Sequence, residues 1–102
     1  MMREPLADAA VTQGLASAPG WSREGDSLVA AYKPGRDRVL AFYTALAALE
    51  DELNHHATVT ILYGSVALRV NTHDAGDRIT ATDLRFAERV AALAKDLDVP
   101  NT

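Results

Sequence analysis

The chain has 102 residues, of which 48% are hydrophobic and 24% charged, with a formal net charge of −4 and no cysteine. That composition belongs to an ordinary soluble globular domain; it excludes disulfides and cysteine-ligated metal or iron–sulfur centres, and it lacks the basic excess of a phosphate-neutralising protein, so direct nucleic-acid binding is not expected. The opening MMREPLADAA has no apolar run of signal-peptide length, and no later stretch nears the ~20 apolar residues that cross a bilayer, so a cytoplasmic protein with no membrane partner is expected.

One domain over residues 1–102 is expected, with its core at about 15–97. Leu6, Ala9, Ala10, Val11 and Leu15 mix with polar positions, and Pro5 suits a first helical turn, so a short helix is predicted over 4–15. Ala18-Pro19-Gly20 ends it. Trp21-Ser22-Arg23 and Ser27–Tyr32 then read as two strands around the turn Glu24-Gly25-Asp26. Pro34-Gly35 breaks the second strand, and Val39, Phe42, Tyr43, Leu46, Leu49 and Leu53 recur at helical spacing up to Asn54. Alternation resumes through Val59, Ile61 and Tyr63, then through Val66, Leu68 and Val70, with Gly64-Ser65 as the hairpin turn. After a polar loop, Thr80 and Asp83 have the spacing of a capping box, opening a helix whose apolar face is Phe86, Val90, Leu93 and Leu97; residues 98–102 are expected to fray.

The order α-β-β-α-β-β-α gives each strand one apolar face and each helix one apolar stripe. The predicted fold is therefore α+β, a two-layer, four-stranded antiparallel sheet with helices packed on one face. No repeat, linker or Gly-rich phosphate loop interrupts it. A chain this small, with few aromatics and no staple, gains stability by burying surface against copies of itself, so a homo-oligomer is expected.

The only three histidines fall at two junctions: His55 and His56 after the central helix, and His73 after the last strand. Convergence of the two junctions would set all three around one pocket, with Asp51, Glu52 and Asp83 nearby. Imidazole exchanges protons near neutral pH, and a carboxylate on one ring nitrogen fixes which nitrogen carries the proton; Asp51 and Asp83 are the candidates. The plainer alternative is a His-His pair that caps carbonyls or meets solvent, and a strand-end His bonded to its loop. A metal centre is disfavoured because adjacent histidines diverge and neither H-x-x-x-H nor H-x-H spacing occurs.

Taken together, Asp51-Glu52-Leu53-Asn54-His55-His56, Tyr63, Thr72-His73 and Asp83-Leu84, with Gly20-Trp21 before the first strand, resemble the signature of the pterin-4a-carbinolamine dehydratases over about residues 15–95. Two departures stand out. Ala57 replaces the usual proline after the paired histidines, leaving a backbone N–H there, and the loop from His73 to Asp83 is one residue longer than the commonest form. The resemblance implies a hydro-lyase that converts a 4a-hydroxytetrahydropterin to quinonoid dihydropterin plus water, with no metal and no organic cofactor. It implies His55 and His73 as acid and base, His56 as a positioning group, Asp51 and Asp83 as groups tuning the imidazoles, and Trp21 as a wall of the pterin site. Asp83 as a helix cap alone, and Trp21 as a core anchor, remain open beside those roles. It also implies a homodimer or homotetramer, and a second functional reading, a non-catalytic dimerisation or assembly scaffold for a protein partner. The three retained histidines favour catalysis.

Overall fold

The computed structural model describes residues 4–102. Strands β1 (Ser22–Glu24), β2 (Ser27–Tyr32), β3 (Thr58–Leu62) and β4 (Ser65–Val70) form one antiparallel sheet in the spatial order β1-β2-β4-β3. The register sets Leu28 opposite Val70, Ala30 opposite Leu68 and Tyr32 opposite Val66, so the apolar members of both central strands share one face. That face is buried beneath the helices α1 (Asp8–Leu15), α2 (Val39–Leu53) and α3 (Ala81–Asp96), which contribute Val11, Phe42, Leu46, Phe86 and Val90 to the core. The predicted fold class and element order hold.

Three details differ from the sequence expectations. Helix α1 begins at Asp8, because the Leu6 N–H is taken by the Ile79 carbonyl at 2.9 Å and Pro5 lies outside the helix. The β3–β4 turn is Tyr63-Gly64, since Leu62 already pairs with Ser65. Tyr63 therefore does not join the core: it is 72% exposed at φ +53°, with the Arg36 guanidinium 5.4 Å from its ring centre. Gly64 is required there, because a Cβ would stand 2.7 Å from the Arg36 amide nitrogen. The last residues do not fray. Val99 is buried, the Pro100 carbonyl accepts from the Lys33 N–H at 2.8 Å, and the Thr102 N–H donates to the Ala31 carbonyl at 2.9 Å, so that the tail pairs with the end of β2.

The pairing of Thr58 with Arg69 and of Leu28 with Val70 brings the start of β3 and the end of β4 to the same end of the sheet. The segment from α2 into β3 and the segment from β4 into α3 consequently meet there.

Candidate active site

Asn54 ends α2 in the left-handed conformation, at φ 49°, which asparagine tolerates better than most residues. The turn sends consecutive histidines in opposite senses: His55 inward, 6% exposed, and His56 into solvent. His55 Nε2 lies 2.6 Å from Asp83 Oδ1, and its ring meets the Phe86 ring edge-on at 6.2 Å. An accepting carboxylate requires the proton on Nε2, leaving Nδ1 as the other ring nitrogen.

Asp83 is fully buried, and a carboxylate is tolerated there only when its oxygens are bonded. Its Oδ2 accepts from the Thr80 N–H at 2.9 Å and from the Thr72 hydroxyl at 2.7 Å. The Thr72 and Thr80 hydroxyl oxygens are 2.7 Å apart, and Thr80 Oγ1 accepts from the Thr82 N–H, completing a reciprocal capping box at the start of α3. One carboxylate thus caps the helix with one oxygen and holds an imidazole with the other.

His73 opens a single 3₁₀ turn, His73–Ala75, at the sheet end. It is 92% exposed, and its Nδ1 lies 2.8 Å from Asp77 Oδ1. The hydrogen bond to Asp77 and then the charge of Asp77 raise the His73 pKa above the ordinary histidine value; desolvation opposes them, and the charge of Asp74 adds the least. His56 Nε2 stands 3.5 Å from Asp51 Oδ1 with both groups in solvent, where such a pair contributes little.

All three histidines line a single open depression of about 320 Å³, together with Asn54, Asn71 and Asp74. Its size is within the range of small-molecule sites. A larger hollow of about 410 Å³ lies on the uncovered sheet face among Thr58, Thr60, Ala67 and Arg69, but it gathers no imidazole and its Arg69 is paired with Glu24. Among the described residues, no three His, Cys, Asp or Glu side chains converge as a metal-binding group, and no helix is long and apolar enough to cross a membrane.

Trp21, for which a wall of the pterin site and a core anchor both stood open, lies in the core: its indole N–H donates to the Tyr32 hydroxyl at 2.9 Å and its ring meets Phe86 at 6.3 Å. Burial raises the Tyr32 pKa, and the bond from Trp21 partly opposes that shift. Phe86 meets both the Trp21 ring and the His55 ring edge-on. Glu52 faces away and pairs with Arg89 across α2 and α3 at 2.7 Å. Sequence reasoning missed Asp77 and Asn71, and quoted Thr72 only as a member of the signature, with no role assigned. Asp77 carried a local signal, four residues after His73; Asn71 had none beyond its nearness to His73.

A family model described as pterin 4 alpha carbinolamine dehydratase matches residues 4–93. Proteins named for pterin-4-alpha-carbinolamine dehydratase are similar across nearly their whole lengths. One from Streptomyces avermitilis is 38% identical over 92 residues, covering 89% of this chain and 91% of its own. One from Streptomyces coelicolor is 39% identical over 95 residues, covering 92% and 94%, and one from Thermomicrobium roseum is 42% identical over 91 residues, covering 87% and 96%. Among solved structures, a transcriptional coactivator/pterin dehydratase from Brucella melitensis superposes with a TM-score of 0.82 at 20% identity, covering 89% of this chain and 99% of that one, which shows a shared fold.

Proposed function

The chain belongs to the pterin 4 alpha carbinolamine dehydratase family, and from that premise we propose that it is a hydro-lyase removing water from a 4a-hydroxytetrahydropterin in pterin recycling. The C4a–O bond breaks and the departing hydroxyl takes up one proton to leave as water. The neighbouring ring nitrogen gives its lone pair to a new C=N bond and loses its own proton, so the net loss is one water and the product is a quinonoid dihydropterin. The step needs one proton donor and one acceptor beside a flat heterocycle, and neither a redox nor a metal-borne group.

The observation that carries the proposal is the buried His55–Asp83 pair opening onto a depression that also holds His56 and His73. With Nε2 held by Asp83, His55 offers Nδ1 to the pocket and suits the proton acceptor. His73, whose cationic form Asp77 favours, suits the donor to the leaving hydroxyl. His56 and the amides of Asn54 and Asn71 line the pocket with groups able to hydrogen-bond the polar edge of a pterin. Asp51 acts only on His56.

The test is the dehydration rate of chemically generated 4a-hydroxytetrahydropterin, followed by absorbance. The wild-type protein, with or without chelator, is expected to accelerate it, and His55→Ala and His73→Ala each to lose on the order of 10²-fold. A folded wild-type protein no faster than the spontaneous reaction would sink the proposal. We further propose a homodimer or homotetramer in the cytoplasm. Support for assembly comes from the exposed Leu62 and Tyr63 at the tip of the β3–β4 hairpin, whose strand β3 is an edge of the sheet.

A further inference from the structure

We propose that Glu50 is a positioning residue for the two helix-end histidines, an inference that rests on the dehydratase reading for its catalytic consequence. Glu50, Asp51 and Glu52 are consecutive acids in the last turns of α2; Asp51 and Glu52 are in solvent, whereas Glu50 is only 7% exposed. Burying a carboxylate is unfavourable unless it meets a donor. Glu50 Oε2 accepts the Ala57 backbone N–H at 2.8 Å, and no buried side-chain N or O among the described residues lacks a partner. The main-chain carbonyl of the same residue accepts the His55 N–H at 3.1 Å.

Glu50 therefore holds the backbone at both ends of the His55-His56-Ala57 segment, one end by its carbonyl and the other by its side chain. Asp83 fixes the far nitrogen of the His55 ring. A ring fixed at its tip alone still swings with its backbone; fixed at tip and root, it presents Nδ1 in one direction. His56 has only an exposed pair with Asp51 to orient its ring, so the Glu50 tether is what fixes the backbone from which it projects. An N–H at position 57 is a requirement of this arrangement, and proline could not supply it.

Three proteins and one exchange measurement test the inference. Glu50→Gln keeps an acceptor oxygen for Ala57, while Glu50→Leu keeps the bulk and removes the acceptor. Displacement of a catalytic group by about 1 Å costs on the order of 10²-fold, so Glu50→Leu, with the folded fraction measured by circular dichroism, is expected to lose about 10- to 100-fold in kcat. Glu50→Gln should stay within about 3-fold of wild type. Glu50→Leu within about 2-fold of wild type, or a Glu50→Gln variant as impaired as Glu50→Leu, would overturn the proposal. In wild-type protein the Ala57 amide should exchange with solvent on the order of 10²-fold slower than an unstructured amide. Unprotected exchange there would overturn the tether with no variant made. A wild-type protein without dehydratase activity would sink the proposed function, and the protection of the Ala57 amide would then decide the tether by itself.

Discussion

Asp83 accepts from the His55 Nε2–H on Oδ1 and from the Thr80 N–H and Thr72 hydroxyl on Oδ2, with the Thr80 hydroxyl farther off at 3.5 Å. An asparagine in its place has one accepting oxygen, so its amide group must face a donor. The Thr80 N–H cannot reverse, whereas the imidazole can move its proton to Nδ1; Asp83→Asn should therefore turn the oxygen toward Thr80 and invert the His55 tautomer. Expected are an Nδ1–H ring in ¹⁵N imidazole spectra, a stability loss of only about 1 kcal/mol, and a fall in kcat on the order of 10²-fold, because the proposed base has lost its lone pair. An unchanged tautomer would remove the orienting role from Asp83. At His73 the argument concerns charge. Asp77 raises the His73 pKa in the folded protein, so the contact contributes below the ordinary histidine value near 6.5 and is lost as pH rises through the folded value. Asp77→Asn should lower the His73 midpoint in an NMR titration and move the alkaline fall in kcat to lower pH. With His73 this exposed, the melting temperature should hardly change.

The start of α3 and the end of α2 carry the site, and they are unequally legible in the sequence. Thr80 is fully buried and caps α3 through Thr82 while lying 2.7 Å from Thr72. Thr80→Ala removes the cap and leaves the Thr72 hydroxyl bonded to Asp83 alone, so a loss of about 1–2 kcal/mol is expected in urea unfolding. If the loss is below about 0.5 kcal/mol, the capping box is not what anchors Asp83. That box is readable because its two members are three residues apart. The contact of Asp83 with His55 spans 28 residues and depends on how α2 meets α3, so spacing can only nominate it. Strand and helix identities follow from periodicity, which is local chemistry. The start of α1 does not, because the Ile79 carbonyl competes for the Leu6 N–H from across the chain. Tyr63 misleads for a related reason: the alternation that fits β3 continues one residue past the point where the chain turns. Glu50 lies four residues after Leu46 and three before Leu53, so helical spacing favours it over Asp51 and Glu52 as the acid turned inward, but its partner, the Ala57 N–H, follows from the turn at Asn54 and is not readable from spacing.

At the scale of the whole molecule, the helices cover one face of the sheet and leave the other to Val29, Ala31, Thr58, Thr60, Ala67 and Arg69. The site lies at the end of the sheet, at the junctions leading into β3 and out of β4, while the exposed Leu62 and Tyr63 stand at the opposite end of the same hairpin. Strand β3 pairs on one side only, and an unpaired edge beside exposed apolar side chains is a surface that proteins ordinarily cover. If self-association through this hairpin covers it, light scattering after gel filtration should give the mass of a dimer or tetramer at micromolar concentration. A charge placed at Leu62, as in Leu62→Asp, should shift that mass downward, because an interface core rejects an unpaired carboxylate. Position 62 is remote from the depression, so the smaller species should keep its melting behaviour and its bound-pterin affinity to within about 3-fold. A wild-type protein that is monomeric throughout would leave this edge to a different partner and return the proposed assembly to a single chain. A Leu62→Asp oligomer of unchanged mass would move the interface to the uncovered face, where Arg69→Glu is the corresponding variant.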